Sequence, residues 1–141
     1  MQECVFCKIV GNKIPSVNIY DSGRSLAFMD IMPARKGHVL IIPKKHGEIL
    51  TDIPEEDLKD VILTVKKVTG AMFKALCCDG INVHQCNRPA AGQVVDHVHF
   101  HLIPRVEGDN LNFGWPHETY DKGEMEKTAD KIRSSLYISM T

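Results

Sequence analysis

The sequence predicts an α+β domain built on a mostly antiparallel sheet, and three patterns carry that expectation. Short apolar runs bounded by Gly, Pro, Asn and Asp recur between Val17 and Pro104, as hairpin-linked strands do. Between them, residues 54–76 repeat apolar side chains every three and four positions, the period of an amphipathic helix. Strands and helices are partly segregated and hairpin-like links dominate, which favours α+β over a parallel sheet.

Taken in order, Cys4-Val5-Phe6-Cys7-Lys8-Ile9-Val10-Gly11 suggests a short helix stopped by glycine. A hairpin follows, with strands near Val17–Tyr20 and Ser25–Asp30 and a turn at Asp21-Ser22-Gly23-Arg24. Gly37–Pro43 reads as a buried strand that ends at proline. In the long helix, Leu58, Val61, Ile62, Val65, Val68, Met72, Phe73 and Leu76 share a stripe. Asp52 or Thr51 is the expected cap, and Glu55, Glu56 and Asp57 suit the positive end. Ile81–Gln85 and Val94–Pro104 are the next strands, separated by the small-residue turn Asn87–Gln93. A last amphipathic helix carries Met125, Ala129, Ile132 and Leu136.

No repeat, linker or low-complexity tract divides the 141 residues, so one domain is expected, with a core over about 4–105 and an extension over 106–141. Seventeen basic and eighteen acidic residues leave a formal charge of −1, which gives no bulk field for capturing nucleic acid. The start lacks a signal peptide's basic and apolar segments, and no apolar run approaches the ~20 residues of a membrane span. Five cysteines, an odd number, fit a reducing compartment better than a disulfide framework, so a cytoplasmic protein is expected.

The most informative segment is Asp96-His97-Val98-His99-Phe100-His101-Leu102-Ile103-Pro104. In an extended chain His97, His99 and His101 share one face, and Val98, Phe100 and Leu102 share the other. Three readings fit three imidazoles on one face: a solvated surface, a metal site, or covalent catalysis. In the last, a neutral imidazole attacks phosphorus through Nε2 while a hydrogen-bond partner holds Nδ1. Periodicity alone does not choose among them.

The stretch Ala90–Arg105 closely resembles the signature of histidine triad proteins, and in particular their Hint-type branch. Cys4–Val10, Leu26–Ile31 and Gly37–His46 fall in the same family's order. The resemblance implies a five-stranded, mostly antiparallel sheet with one long and one C-terminal helix. It also implies hydrolysis of purine nucleoside 5'-phosphoramidates through a nucleotidyl-histidine intermediate, with release of the nucleoside monophosphate.

By the same resemblance His99 is the nucleophile, His101 orients it and His38 borders the pocket. Gln93, Asn87 and Gly92 face the phosphate, Asp30 binds the ribose hydroxyls, and Phe6, Phe28 and Ile31 wall the base. Val94 stands where many members carry Ser or Thr, and Cys86 where relatives often carry Asn, which leaves rate and leaving-group preference open.

The Cys4-x-x-Cys7 spacing puts two thiols on one face of a short helix, a weak metal signal by itself. Some relatives hold structural zinc with residues that correspond to Cys4, Cys7, His46 and His97. That assignment leaves His99 and His101 to react, and zinc is not required for the chemistry. Cys77 and Cys78 are assigned nothing. The resemblance also implies a homodimer that joins along the long helix and an edge of the sheet, with no nucleic acid or membrane partner. The alternatives are a dinucleoside polyphosphate hydrolase, a zinc hydrolase using all three histidines, and a non-catalytic nucleotide-binding adaptor.

Overall fold

In the computed structural model, which describes residues 3–138, helix α1 covers Val5–Val10 and stops at Gly11 as expected. Cys4 occupies its N-cap, where the sulfur accepts the Cys7 N–H at 3.5 Å. Strands β1 (Asn18–Asp21) and β2 (Ser25–Met29) form the hairpin. Its turn is held by Gly23 N–H donating to Asp21 Oδ1 at 2.8 Å and Ser25 N–H donating to Ser22 Oγ at 2.8 Å. Strand β3 (Val39–Pro43) is buried throughout.

Helix α2 spans Glu55–Leu76 and carries Glu55, Glu56 and Asp57 in its first turn. Neither Thr51 nor Asp52 caps it. Both belong to a short 3₁₀ turn, Leu50–Asp52, where Asp52 accepts the Ile49 N–H at 3.1 Å. Ile53 and Pro54 are extended, so the helix begins too far along the chain for Asp52 to reach. The helix is tied to the hairpin instead: Ser22 and Ser25 hydroxyls both donate to Asp60, and Arg24 pairs with Asp57 at 3.3 Å. Burial pushes the Asp60 carboxyl up, but the two hydroxyl donors outweigh it and hold the group below its ordinary value.

Strands β4 (Gly80–Gln85) and β5 (Phe100–Arg105) complete a five-stranded sheet in the order β1-β2-β3-β5-β4, every neighbouring pair antiparallel. The expected strand over Val94–Pro104 is therefore shorter at its start. The ladder shows why: the last pairs on both sides of β5 are Ile41↔Phe100 and Gln85↔Phe100, so residues 97–99 have no strand beside them. The chain bends at His97, whose N–H donates to the Val95 carbonyl at 2.9 Å, and Val98 N–H donates to the Gly47 carbonyl at 2.8 Å. A Cβ on Gly47 would lie 2.5 Å from Ile53 Cδ1, so glycine lets this loop come in close.

The period-two division of faces nevertheless holds across the junction. Val98, Phe100 and Leu102 join Ala27, Val39 and Ile41 in a core covered by Val61, Val65, Val68 and Met72 of α2. On the opposite face Phe6, Leu26, Phe28, Leu40 and Ile42 form a second cluster.

The chain divides into two units after Asn110, slightly beyond the expected end of the core at Arg105. Arg105 accounts for the difference: its guanidinium forks onto Asp109 at 2.7 and 2.8 Å and folds residues 106–109 back on β5. In the second unit, residues 111–121 have no regular structure and precede helix α3, Glu124–Ile138. Its Met125, Ile132 and Leu136 are exposed, and Arg133 bridges Glu126 and Asp130. Among the described residues no helix is long and apolar enough to cross a membrane.

Leu102 is wholly buried where the sheet meets α2. Replacing it with alanine should cost about 2–5 kcal/mol in chemical denaturation, the range for emptying such a site. A loss well under 1 kcal/mol would mean that the core closes over the gap (about one Ile→Val step).

Candidate active site and metal centre

His99 lies just ahead of β5 and is 6% exposed. Its Nδ1 is 2.7 Å from the His97 carbonyl oxygen. A carbonyl can only accept, so Nδ1 carries the proton and Nε2 keeps its lone pair. Phe6 packs edge-on against the ring at 5.2 Å between centroids. Burial holds His99 below its ordinary pKa, which keeps the ring neutral near pH 7.

A second pair of imidazoles stands beside it. Ala34 N–H donates to His38 Nδ1 at 3.0 Å, so the His38 ring proton sits on Nε2 and donates to His101 Nδ1 at 2.9 Å. His101 is left with its proton on Nε2, and its ring centroid is 4.9 Å from that of His99. Burial, aided by the neighbouring His99 and His38, pushes His101 down to about 4, and burial lowers His38 as well. Asp30 opposes these shifts, with Oδ2 at 3.6 Å from His38 Nε2.

His84 completes this group and was missed by sequence reasoning. It pairs with His101 across the β4–β5 ladder, and its charge, when present, lowers both His38 and His101. Only strand register places it there, because nothing in its local sequence distinguishes it.

Four other side chains converge nearby. Cys4 Sγ lies 3.4 Å and Cys7 Sγ 3.6 Å from His97 Nδ1; His46 Nδ1 is 3.3 Å from Cys7 Sγ and 3.2 Å from His97 Nδ1. An ion held tetrahedrally at about 2.3 Å from sulfur and about 2.0 Å from nitrogen separates its ligand atoms by about 3.3–3.8 Å. The four donors match that scale. His97 Nε2 donates to the Pro43 carbonyl at 2.8 Å, which turns the Nδ1 lone pair into the cluster, and burial holds its pKa down to about 4. Burial and the adjoining Cys4 push the Cys7 thiol up. The Cys₂His₂ set fits a metal ion.

Several expected contacts take other forms. Gln93 is buried and spends its amide on the loop: Oε1 accepts the Arg88 N–H at 2.6 Å, and Nε2 donates to the Glu48 and Val95 carbonyls at 2.6 and 3.0 Å. Both amide protons are used, so Gln93 holds the loop and has no donor left for a phosphate. Asn87 accepts the Leu50 N–H at 2.8 Å and exchanges hydrogen bonds with Gln85, so it too is mainly scaffold. Gly92 ends the 3₁₀ turn Pro89–Ala91 with φ +95°. No atom lies within 4 Å of where its Cβ would be, so backbone conformation, not close approach, requires glycine there. Ile31 is 90% exposed and walls nothing in this chain, because the turn closed by Met32 N–H on Asp30 Oδ1 carries it outward. Phe6 and Phe28 of β2 are buried edge-to-face at 5.6 Å, and Phe6 rests against His99.

An oriented neutral imidazole beside an imidazole pair and a carboxylate, on an antiparallel sheet, marks a small α+β protein of the histidine triad kind. The chain belongs to the HIT domain family, whose model matches residues 12–108. It is 43% identical over 142 residues to an adenosine 5'-monophosphoramidase of Candida albicans, covering 94% of this chain and 91% of that protein. Its fold resembles that of a Streptococcus mutans UA159 protein with a TM-score of 0.91 and 34% identity, covering 96% of this chain and 87% of that one. A Zn-bound histidine triad family protein from Mycobacterium smegmatis aligns with a TM-score of 0.75 and 32% identity, covering 95% and 98% of the two chains.

The lowered histidines set a direction for acid sensitivity. Unfolded histidines take up protons near pH ~6.5, whereas His101 resists protonation down to about 4. The unfolded chain therefore binds more protons in that window, and stability is lost as pH falls through it. The urea midpoint should drop between pH 7.5 and 5.0, and drop less in His101→Asn. Equal drops in the two proteins would remove His101 from the cause.

Proposed function

We propose that the protein hydrolyses the P–N bond of purine nucleoside 5'-phosphoramidates, with His99 as nucleophile. The observation that carries this reading is the 2.7 Å bond from His99 Nδ1 to the His97 carbonyl, which leaves Nε2 free to attack. The Candida albicans relative supports the substrate class.

In the first step the Nε2 lone pair forms a bond to phosphorus, and the P–N bond breaks with its electron pair on the amine nitrogen. That nitrogen takes a proton from His101 in its protonated form, and the amine leaves. Burial keeps His101 neutral in the empty site, but the negative charge of a bound phosphate favours the protonated form. The new Nδ1–H of His101 displaces the bond from His38, whose Nε2–H turns to Asp30 Oδ2, 3.6 Å away, so the acid is created with the complex. The modified His99 ring is cationic, and its Nδ1–H stays on the His97 carbonyl. Water then attacks phosphorus, the electron pair of the Nε2–P bond returns to His99, and a water proton returns to His101. The nucleoside monophosphate departs with both rings restored. Phe6 and Phe28 provide the apolar side of the nucleoside site, and Asp30 the acceptor for its hydroxyls.

The Cys4, Cys7, His46 and His97 donors suit zinc, which would join α1 to the histidine segment and contribute to folding without touching the reacting phosphorus. The Zn-bound Mycobacterium smegmatis relative supports the choice of ion. Reduced thiolates in that set agree with a cytoplasmic setting. Exposed Ile62, Leu63, Phe73 and Leu76 on α2 and Val83 on the edge strand β4 support a homodimer. The substrate is a small nucleotide, and neither nucleic acid nor a membrane is a partner in this reading.

Purified protein should release AMP from adenosine phosphoramidate, and His99→Asn should lower kcat by about 10³-fold or more while retaining the fold. Turnover of a diadenosine polyphosphate alone would replace the proposed substrate, and AMP binding without any turnover would make the protein an adaptor. Elemental analysis should find about one zinc per chain, and a chelator should lower the thermal midpoint. A midpoint unmoved by complete metal removal would end the folding role.

A further inference from the structure

Residue 97 belongs to two constructions at once. Its ring supplies Nδ1 to the cysteine–histidine set and donates Nε2–H to Pro43, while its carbonyl oxygen accepts the Nδ1 proton of His99. Residues 97–99 lie beyond the last ladder pair, so the sheet does not set the direction of that carbonyl. Besides its ring, what anchors residue 97 locally is its N–H on the Val95 carbonyl at 2.9 Å and the Val98 N–H on Gly47.

Helix α1 makes a second link. Cys4 caps it, Cys7 lies one turn on, and between them Phe6 packs edge-on against both His97 and His99. A helix of six residues is too short to hold itself in place. Its position depends on the partners of Cys4 and Cys7 and on the packing of Phe6, Ile9 and Val10 in the second cluster.

We propose that the Cys4–Cys7–His46–His97 centre positions the nucleophile and so acts as a metal-dependent switch on the reaction. With the four donors gathered on an ion, the His97 carbonyl and Phe6 hold the His99 ring in the tautomer that presents Nε2. With the donors released, His46 no longer fixes the adjoining Gly47 carbonyl that holds the same peptide group through Val98 N–H, the His97 carbonyl turns, and the neutral imidazole divides between its two tautomers, one of which has no lone pair at Nε2. Cys4, Cys7 and His46 are only half-buried, and a cleft lined by Glu3, Cys4, His46, Glu48, Val94 and Asp96 reaches two of them. An ion can therefore leave while the core beneath α2 stays intact. The inference rests on the phosphoramidase reading for its kinetic arm only.

The test compares the full-length zinc-loaded protein, the same protein stripped by a chelator, and the variants His97→Ala and His97→Cys. Ligation through Nδ1, the ring nitrogen nearer the backbone, makes cysteine the closest replacement in reach. Nitrogen-15 NMR reports whether the His99 proton sits on Nδ1, and far-UV circular dichroism reports the fold.

The expected result is an Nδ1 proton signal present with zinc, lost on stripping and in His97→Ala, and recovered in zinc-loaded His97→Cys. The value of kcat should fall about tenfold or more in the same two states and recover in part with cysteine. A signal that persists in the folded, stripped protein or in His97→Ala would overturn the proposal. So would loss of the signal in zinc-loaded, folded His97→Cys. Global unfolding on loss of zinc would overturn it as well, because a centre needed for folding is no separate switch. Absence of phosphoramidate turnover in every form would defeat the proposed activity and leave the NMR outcome to stand alone.

Discussion

The bond from the His99 ring to the His97 carbonyl is the interaction on which the reactive face depends. A neutral imidazole has one lone pair on two nitrogens, and only a fixed acceptor on one side makes the other reliably nucleophilic. Within a strand ladder that carbonyl would be taken by a neighbour's N–H. Here β3 and β4 both stop pairing at Phe100, so the carbonyl two residues before His99 remains available to a side chain. The early end of the strand is thus part of the proposed chemistry.

The sheet divides its labour by face. One side is dry, with Val98, Phe100 and Leu102 under α2, and its packing holds β5 and the Val98 side chain in place. The other side is only partly covered, by α1 and its Phe6, which leaves room for titratable side chains that could not be tolerated in the first core. Burial on this second side is deep enough to lower His38, His99 and His101. A carboxylate at Asp30 and hydrogen bonds to backbone groups compensate the cost of placing four polar rings together.

The fold was largely legible because its elements obey clean periods: the hairpin turn at Ser22–Gly23 and the alternation from Val98 to Leu102 appear where the patterns put them, and α2 forms as its period requires, although Ile62, Phe73 and Leu76 of its stripe stay exposed. The four-donor cluster was legible only through resemblance, since Cys4-x-x-Cys7 by itself is a weak pattern. What stayed hidden depends on contacts distant in sequence. His84 acquires meaning from register with His101, and β5 is cut short by where its neighbours end. Gln93 looked like a phosphate ligand, but the Glu48 and Val95 carbonyls and the Arg88 N–H claim its amide. A side chain's type shows what it can bond, but only the fold shows what is left over to bond it.

That same limit explains why the His38–His101 pair carries so much of the proposed reaction. The amide of Gln93 is consumed, Asn87 is turned toward Leu50 and Gln85, and Val94 is exposed without a hydroxyl. The loop beside the phosphate therefore contributes shape more than mobile protons. An amine leaves phosphorus well only when protonated, so the proton must come from the imidazoles. The chain Ala34 N–H to His38 to His101 sets which nitrogen can supply it, because His38 occupies the Nδ1 side of His101 and leaves Nε2 to face the leaving group. The fixed tautomer of His99 therefore marks the nucleophile, and His101, with Nδ1 turned to His38 and Nε2 turned away from it, becomes the acid when a bound phosphate draws a second proton onto the ring.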